Sequence, residues 1–229
     1  MNIRCATGED GEFNWEHRQD RVFALLRKTA ADVIALQEVL PKQRQDLEQN
    51  LSHYHWYGRG RNFGGGGEQC TIGVAPHLQV KNQGTFWLGS DPRLEGTVGW
   101  DACLPRICTW IELDPPGLLV ANTHFDHLGA AARLHSAELL VSRFGSGPTV
   151  ILGDFNATPT DPPLQILSKS FQDTLNWSEQ PTYHEFGTLQ DGPRIDYILT
   201  SPGLTVQHSE IIPEPQPYCS DHFAVQALI

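Results

Sequence analysis

The chain has 229 residues, of which 39% are hydrophobic and 19% charged, a balance typical of a folded globular protein and unlike that of disordered or fibrous chains. Its formal net charge of -11 excludes a protein that holds nucleic acid mainly through overall positive charge, although a local basic patch remains compatible with it. The five cysteines are scattered and form no CxxC pair, which argues against a disulfide framework or a zinc knuckle.

The distribution of apolar residues gives no sign of export or membrane insertion. The N-terminal stretch lacks the apolar centre of a signal peptide, and no later segment approaches the roughly 18 consecutive apolar residues of a membrane span. Neither an internal repeat nor a long linker interrupts the chain. We therefore expect one domain over residues 1–229, located in the cytoplasm, without a membrane span and without an obligate protein partner.

Short apolar runs separated by Pro and Gly clusters predict strands along most of the chain. In chain order, the predicted strands are residues 2–6, 32–37, 70–75, 84–88, 107–113, 118–124, 149–152, 194–200, 204–211 and 223–228. Apolar residues at helical spacing predict helices over residues 15–30 and 129–144, and Asn14 is placed to cap the first. A further helix is predicted from Pro41, because Leu47 and Leu51 lie one turn apart.

This succession of elements predicts an α/β fold class. Strands that follow one another in the middle and at the end of the chain argue for two packed mixed sheets flanked by helices, rather than for a simple parallel sheet. The sequence also lacks a GxGxxG or Walker loop, which agrees with that choice.

Polar residues stand at or near the ends of the apolar runs at six places. They are Asn2, Glu38, His124, the pair Asp154 and Asn156, Asp196, and the pair Asp221 and His222. Because active sites in α/β architectures gather at strand ends and in the following loops, we expect these residues to converge on one rim. Three of these places also have an ordinary explanation, since GDFNATP and SDH favour turns and Glu38 suits the start of a helix near Pro41.

The types of these residues indicate a hard cation. Carboxylate and amide oxygens suit Mg²⁺ or Mn²⁺, whereas a zinc site would need more His or Cys. Two histidines beside several carboxylates can donate hydrogen bonds to a developing oxyanion. The set is therefore typical of phosphoester hydrolysis.

Five short motifs, in this order, resemble the endonuclease/exonuclease/phosphatase superfamily, which includes deoxyribonuclease I. They are QEV at 37–39, NTH at 122–124, GDFNATP at 153–159, RIDYI at 194–198 and SDH at 220–222. The motifs NWEHRQD, GTFWL and PRICTW additionally resemble a bacterial branch of unassigned substrate. The resemblance covers essentially the whole chain and implies a four-layer α/β sandwich.

The resemblance also implies roles in binding a metal and activating water. Glu38 is the expected principal metal ligand, with Asn2 beside it, and Asp221 stands at a further ligand position. Asp154 is expected to orient or deprotonate the attacking water. Asn156 is expected to contact the phosphoryl oxygens through its amide group.

The same resemblance implies roles for two histidines and their supporting carboxylates. His222 is expected to stabilise the pentacovalent phosphorus, and Asp196 to orient a histidine. His124 is expected to be the second histidine that faces the phosphate. Glu68, in GEQCTIG, resembles a glutamate that supports His124 in the nuclease branch.

Four further residues have a functional and an ordinary interpretation. Arg106 is either a phosphate clamp or a member of a surface ion pair. Asp126 either supports the site or caps the helix near residue 129. His184 either touches the substrate phosphate or is an exposed loop histidine. Arg61, just before the glycines at 64–67, belongs either to a substrate-binding loop or to an ordinary hairpin connection.

We expect a divalent-metal-dependent phosphoesterase that hydrolyses a phosphomonoester or phosphodiester of a small molecule by direct attack of activated water, with Mg²⁺ or Mn²⁺ as cofactor. The acidic balance and compact size favour this hypothesis. A Mg²⁺-dependent endonuclease or exonuclease on DNA or RNA is the alternative, and a basic groove beside His124 and His222 would favour it. A third hypothesis is a non-catalytic binding module that kept the fold.

Overall fold

The computed structural model describes residues 1–7, 9–115 and 117–229. In chain order, its helices and strands are α1 (Trp15–Thr29), β1 (Val33–Val39), α2 (Pro41–Asn50), β2 (His55–Tyr57), β3 (Gln69–Val74), β4 (Gln79–Trp87), β5 (Ile107–Asp114), β6 (Leu118–His124), α3 (Ala130–Phe144), β7 (Thr149–Asp154), α4 (Pro162–Leu167), β8 (Gln172–Asp173), β9 (Asp196–Thr200), β10 (His208–Ile212) and β11 (Ala224–Leu228). Three short 3₁₀ turns, at Gly11–Phe13, Phe63–Gly65 and Glu185–Gly187, lie between them.

The largest sheet has six strands in the spatial order β4, β5, β6, β7, β9 and β8. Its neighbouring strands are antiparallel except β6 and β7, which run parallel and are connected through α3. A three-stranded antiparallel sheet has the order β1, β3 and β2, and Asn2 adds a parallel bridge to Gln37 at the edge of β1. Strands β10 and β11 form a separate antiparallel pair.

The apolar clusters show four layers. On β6, Ala121 faces the cluster that α3 and α4 cover, whereas its neighbour Val120 faces the three-stranded sheet. Successive strand residues point to opposite faces, so one strand serves both layers. Helices α1 and α2 cover the outer face of the three-stranded sheet, where Phe23 and Leu47 pack with Leu36 of β1. The α/β fold with two packed sheets between helices is confirmed.

Two local predictions at the N-terminus are wrong. The first predicted strand reduces to the single bridge of Asn2, because Arg4 takes a left-handed φ of 53° and a turn follows. Asn14 does hold the N-cap position of α1, but its side chain accepts a hydrogen bond from the backbone of Asp10 instead of capping the helix. The elements β2, β8 and α4 are too short to show a period in the sequence.

The cysteines and the helices agree with the expectations from composition. All five cysteines are free, so the scattered thiols form no disulfide framework. In the part of the chain that the structure describes, no helix combines the length and the hydrophobicity needed to cross a membrane.

Candidate active site

Three predicted site residues, His124, Asp154 and Asp196, meet at one end of the six-stranded sheet, where the strands that carry them end or begin. β6 and β7 run parallel, so His124 and Asp154 end them side by side in register. Asp196 opens the antiparallel strand β9 directly opposite Asp154. His222 lies just before β11 and forms an isolated bridge with Tyr183. Residues far apart in the sequence therefore share one end of the fold.

A bulge in β1 turns Glu38 toward the site. The register against β3 shifts between Leu36 and Val39, and Glu38 takes a left-handed φ of 63°, which other parts of the structure must stabilise. Its carboxylate accepts hydrogen bonds from Asn2 Nδ2 at 2.8 Å and from the backbone N of Cys5 at 2.9 Å. Burial opposes the ionisation of Glu38, but these hydrogen bonds outweigh it and lower its pKa. Glu38 is therefore held as an anion.

Asn2 connects two of the carboxylates. Its Nδ2 atom lies 3.2 Å from Asp154 Oδ2 in addition to its bond with Glu38. Its Oδ1 accepts a hydrogen bond from the backbone N of Arg4 at 2.9 Å. The Asn2 amide nitrogen therefore fixes the carboxylates of Glu38 and Asp154 relative to each other. Its amide oxygen is held by the backbone N–H of Arg4.

Asp154 and Asn156 form a turn and part of the site at once. The backbone N of Asn156 donates to Asp154 Oδ1 at 2.9 Å, and Asn156 has a left-handed φ of 46°, features expected of an Asx turn. The Nδ2 atom of Asn156 also donates to the carbonyl of Phe125 at 3.0 Å and lies 3.1 Å from His124 Nε2. The GDFNATP motif therefore forms a turn, and this turn places the side chains of Asp154 and Asn156 beside His124.

His222 is held as an imidazolium between two carboxylates. Its Nδ1 donates to Asp196 Oδ2 at 2.8 Å, and its Nε2 lies 3.8 Å from Asp154 Oδ2. Burial alone would lower the pKa of His222, but the charges of Asp196 and Asp154 outweigh it and raise that pKa to about 10. Burial and the neighbouring charge of Asp196 in turn raise the pKa of Asp154, against the opposing charge of His222. A cationic donor thus stands beside a carboxylate with increased proton affinity.

The second histidine of the site is neutral. His124 Nε2 lies 3.4 Å from Asp154 Oδ2. Burial, followed by the positive charges of Arg106 and His222, lowers the pKa of His124 well below its ordinary value. The two histidines therefore face the same carboxylate in different charge states at neutral pH.

The converging side chains line one pocket of about 560 Å³. The predicted residues that line it are Asn2, Glu38, Glu68, Arg106, His124, Asp154, Asn156, Asp221 and His222. Small-molecule sites commonly have volumes of about 300–1,000 Å³. The size of the pocket therefore matches a small molecule or the end of a larger one.

Asp196 and Asp126 lie behind the pocket wall rather than in it. Asp196 supports His222, and Asp126 supports Arg106 through a contact of 3.3 Å between Oδ2 and Nε. The other oxygen of Asp126 accepts hydrogen bonds from the backbone N atoms of Leu128 and Gly129. Asp126 therefore closes the turn before α3 and also fixes an arginine of the pocket. A surface ion pair for Arg106 is the wrong interpretation, because both partners are buried.

The first turn of α3 is capped from a distant loop. The carboxylate oxygens of Asp101 accept hydrogen bonds from the backbone N of Ala131 at 3.1 Å and of Ala132 at 2.6 Å. A carboxylate at this position satisfies N–H groups that have no partner within the helix. Asp101 therefore caps α3, whereas Asp126 accepts its backbone hydrogen bonds in the turn that precedes the helix.

His184 is only 4% exposed, so the interpretation as an exposed loop histidine is wrong. Its ring packs against Tyr218 and Phe223, with centroid distances of 4.4 and 4.0 Å. Neither ring nitrogen has a hydrogen-bond partner among the residues that the structure describes, and burial lowers the pKa of His184 to about 4. Its backbone N donates to the carbonyl of Asp221 at 2.9 Å, so the neutral ring packs behind the loop that carries the SDH motif.

The glutamate expected to support His124 has another partner. Glu68 accepts a hydrogen bond from Arg61 Nη2 at 2.7 Å, and both residues line the pocket. Burial raises the pKa of Glu68, and the charge of Arg61 opposes that shift. Arg61 lies in the hairpin connection between the antiparallel strands β2 and β3, where its backbone N donates to the carbonyl of Glu68 at 3.0 Å, and its side chain also lines the pocket.

Several pocket residues were not singled out from the sequence. They are Arg4, Cys5, Leu104, Ala157, Thr158, Asp161, Tyr183, Pro193 and Ile195. Most of them directly flank a motif, as Arg4 follows Asn2 and Tyr183 precedes His184. Closeness to a motif was the available signal, but it does not tell which neighbours face the pocket.

The carboxylates of the pocket fit a divalent cation. Burial raises the pKa of Asp221, and the nearby charge of Glu38 adds to that effect, so the two carboxylates repel each other. Bound Mg²⁺ or Mn²⁺ would offset this excess of negative charge, and both ions prefer oxygen ligands.

Another set of metal-ligand types lies at the pocket rim and fits a cation less well. Cys103, Asp126 and His127 bring one potential ligand atom each within 4.8 Å of the others. The guanidinium of Arg106 already lies 3.3 Å from Asp126 Oδ2 and 3.0 Å from His127 Nδ1. A positive group therefore occupies the position that a cation would take.

Comparison with known proteins places these observations in a family. The model of the endonuclease/exonuclease/phosphatase family matches residues 2–222. A search of curated proteins found no match. The crystal structure of an endonuclease/exonuclease/phosphatase from Bacteroides vulgatus is 33% identical with a TM-score of 0.93, and the alignment covers 99% of this chain and 95% of that chain.

Two further solved structures are similar. A mannosyl-6-phosphatase from Bacteroides thetaiotaomicron is 28% identical with a TM-score of 0.89, and the alignment covers 100% of this chain and 97% of that one. The catalytic domain of human Nocturnin, solved with a bound sulfate anion, is 19% identical with a TM-score of 0.70 and shares the fold, with 100% of this chain and 92% of that chain covered.

The family match extends over nearly the whole chain, and the six- and three-stranded sheets with their helices agree with the deoxyribonuclease I-like fold of the solved relatives. Members of this superfamily are hydrolases that act on phosphoester bonds, typically with a divalent metal ion. The chain described here belongs to the endonuclease/exonuclease/phosphatase family.

Proposed function

We propose that this chain is a Mg²⁺- or Mn²⁺-dependent phosphoesterase that hydrolyses a phosphomonoester of a small molecule. The observation that carries the proposal is the convergence of Glu38, Asp154, His124 and His222 on one pocket of about 560 Å³. A single domain over residues 1–229 would hold this site. Location in the cytoplasm, and the lack of an obligate protein partner, stay predictions from the sequence.

The proposed metal site consists of Glu38 and Asp221, with Asn2 beside them. When bound there, the ion would supply positive charge to a phosphate oxygen and to the leaving oxygen. Glu38 is an anion even without it, because Asn2 and Cys5 donate hydrogen bonds to both of its oxygens. Asn2 also contacts Asp154, so the same amide would keep the metal side and the water side of the site at a fixed separation.

Asp154 is the proposed base for the attacking water. The backbone of Asn156 holds its Oδ1, whereas its Oδ2 faces His124 and His222 at 3.4 and 3.8 Å. Burial and Asp196 raise its pKa, which makes the carboxylate a better proton acceptor. Its position at the end of β7 allows it to orient a water molecule toward the phosphorus.

The proposed donors to the phosphoryl oxygens are His222 and Asn156. Asp196 keeps His222 protonated, and Nε2 is the nitrogen that points away from Asp196 toward the site. Asn156 Nδ2 lies 3.1 Å from His124 Nε2, in the turn that follows Asp154. Each well-placed donor to a developing negative charge commonly contributes about 10²- to 10³-fold to the rate.

A phosphorylated sugar or a similar hydroxyl-rich compound is the proposed substrate class. The pocket lining adds Thr158, Asp161 and Tyr183, which can exchange hydrogen bonds with hydroxyl groups, to the charged residues around the phosphate. A similar structure at 28% identity is a mannosyl-6-phosphatase, which supports this class. The net charge of -11 also argues against a long polyanion as substrate.

A nuclease is the second candidate, and three arginines favour it. Arg4, Arg61 and Arg106 line the pocket and could contact a nucleic-acid backbone. Each of them is already paired, however, with Asp10, Glu68 and Asp126 respectively. A guanidinium that is paired with a carboxylate attracts the phosphates of a nucleic acid less strongly than a free one. We therefore place the nuclease second.

A substrate screen tests the proposal. The purified protein is assayed with p-nitrophenyl phosphate, bis-p-nitrophenyl phosphate, sugar phosphates, inositol phosphates, single-stranded DNA and RNA, with Mg²⁺, Mn²⁺ or EDTA. We expect the highest kcat/KM on a sugar phosphate, loss with EDTA, and loss in the Asp154→Ala variant. Preference for DNA or RNA would support the nuclease, and inactivity on every substrate without metal binding would support a binding module.

A further inference from the structure

Arg18 of α1 is fully buried, and nothing in the proposed chemistry uses it. It belongs to the NWEHRQD motif, and its side chain is among the largest fully buried ones. Burying a guanidinium ion is expensive unless every donor finds a partner. A buried arginine therefore needs a specific explanation.

All four hydrogen bonds of the Arg18 guanidinium go to backbone carbonyl oxygens rather than to carboxylates. Nη1 donates to Ile3 at 2.5 Å and to Cys219 at 3.0 Å, Nη2 donates to Arg4 at 2.6 Å, and Nε donates to Phe13 at 2.8 Å. The planar group thus joins residues 3 and 4, residue 13 and the distant residue 219. A guanidinium carries five N–H donors on three nitrogen atoms and can therefore reach carbonyl groups in different directions. A lysine ammonium carries all its donors on one nitrogen atom and cannot bridge the same carbonyl groups.

Two of the segments that Arg18 joins carry different residues of the proposed active site. Ile3 and Arg4 follow Asn2, whose amide contacts Glu38 and Asp154. Cys219 precedes the SDH motif at 220–222. The guanidinium therefore stands between the segment that orients the metal-binding carboxylate and the loop that supplies the cationic histidine.

Other contacts hold the same two segments. Ser220 Oγ donates to the carbonyl of Asn2 at 2.7 Å and joins the two segments directly. Gln43 of α2 holds the first segment, because its Nε2 donates to the carbonyl of Arg4 at 2.9 Å. Arg4 has a left-handed φ of 53°, a conformation that its surroundings must hold in place. Arg18 contacts both segments from α1, through the carbonyl oxygens of residues 3 and 4 and of residue 219.

We propose that Arg18 is a positioning residue that fixes Asn2 and the SDH loop relative to each other, and with them the positions of Asp221 and His222 relative to Glu38 and Asp154. The assignment rests on the proposed function of that site. Arg18 touches neither substrate nor metal in this arrangement. It acts through the backbone of residues 3, 4 and 219.

The consequence concerns turnover more than binding. A displacement of about 1 Å between catalytic groups can reduce the rate about 10²-fold, while contacts to the rest of the substrate persist. Loss of the guanidinium should therefore lower kcat more than it raises KM. A residue needed only for folding would change the amount of folded protein and leave the kcat of the folded fraction intact.

The test uses the full chain with Arg18→Lys, which keeps the charge but not the planar guanidinium. Arg21→Lys is the matched control, since Arg21 lies one turn further on α1 and its Nη2 is 3.4 Å from the Tyr218 carbonyl beside the same loop. At saturating metal and substrate, we expect Arg18→Lys to lower kcat at least about tenfold with KM changed by less than about threefold. We expect Arg21→Lys to keep kcat within about twofold.

A second variant keeps the proposal testable if Arg18→Lys does not fold. Ser220→Ala removes the hydroxyl that lies 2.7 Å from the carbonyl of Asn2 and 3.2 Å from Asp221 Oδ1, so it loosens the same connection without burying a charge. We expect this variant to show the same pattern at about three- to tenfold in kcat. A folded Arg18→Lys protein with kcat within about twofold of wild type, or a loss no greater than that of Arg21→Lys, would overturn the assignment.

A readout without turnover separates this proposal from the proposed function. Histidine-labelled protein without substrate is compared by NMR, with the exposed His135 as an internal reference. We expect the His222 ring resonances to shift in Arg18→Lys and to stay unchanged in Arg21→Lys. Unchanged His222 resonances in Arg18→Lys contradict the positioning role. Lack of any phosphoesterase activity in wild type with a shifted His222 contradicts only the proposed function.

Discussion

The Nδ1 atom of His222 lies 2.8 Å from Oδ2 of Asp196, and both side chains are almost completely buried. This pair places the imidazolium of His222 in the pocket wall, with Nε2 3.8 Å from Asp154 Oδ2. Burial lowers the pKa of His222, but the negative charges of Asp196 and Asp154 raise it by more, so His222 is cationic at neutral pH. The electrostatics of the site follow from this relationship.

Asp196→Asn tests whether the carboxylate keeps His222 charged. The amide preserves the shape but removes the negative charge, so we expect the pKa of His222 to fall and kcat to decrease about 10- to 100-fold. The basic limb of the pH–rate profile should move to lower pH, because the histidine then loses its proton earlier. Steady-state kinetics on the best substrate from pH 6 to 10 would show both effects. An unchanged profile would mean that Asp196 serves packing alone.

The stability of the metal-free protein should depend on pH through His222. Its folded pKa of about 10 exceeds the ordinary value of 6.5, so its charged form stabilises the fold in full below about pH 6.5. That contribution is lost as the pH rises through about 10. Urea unfolding in EDTA should therefore show that the free-energy difference between wild type and His222→Gln shrinks across this window. A constant difference would contradict the charged state.

Glu38→Gln should raise the metal requirement. The amide keeps one oxygen but loses the charge that attracts a divalent cation, so we expect the half-saturating Mg²⁺ concentration to increase about tenfold or more and kcat to fall. Glu48→Gln is the control, because Glu48 lies on the exposed side of α2 in an ion pair with Arg44. A Mg²⁺ titration of activity gives the comparison. Equal metal dependence of both variants would remove Glu38 from the proposed metal site.

Arg106→Lys should weaken substrate binding. Asp126 fixes this buried arginine at the pocket wall, and lysine cannot reproduce its planar set of donors. We expect KM to rise about tenfold with a smaller change in kcat, since the guanidinium would contact the substrate anion before and during the reaction. Arg93→Lys, in an exposed ion pair with Asp91, should leave KM unchanged. A fall in kcat at constant KM would instead assign Arg106 to the transition state.

The sequence predicts those parts of the fold that follow from the pattern of apolar residues, and those parts of the site that follow from the order of the superfamily motifs along the chain. Short apolar runs between Pro and Gly clusters predict β5, β6 and β7, and the ends of two parallel strands place His124 and Asp154 side by side. The superfamily motifs add residues that have no signal of their own, of which Asn2 is the clearest example. Their order along the chain, rather than any single motif, carries that inference.

Other features depend on contacts between distant residues and have no local pattern. The bulge that turns Glu38 inward depends on its pairing with β3, and the pairing of Glu68 with Arg61 depends on how one loop folds back. The burial of His184 reflects packing against Tyr218 and Phe223, 34 or more positions along the chain. Such relationships arise only when the elements pack together.

The most direct test of the proposed site is the kcat of His222→Ala on the best phosphomonoester, measured at saturating substrate and Mg²⁺ with circular dichroism as the check on folding. The account predicts a folded protein whose kcat is about 10²- to 10³-fold lower, because a preorganised donor to the phosphoryl oxygens is lost. A folded His222→Ala protein with undiminished turnover would contradict it.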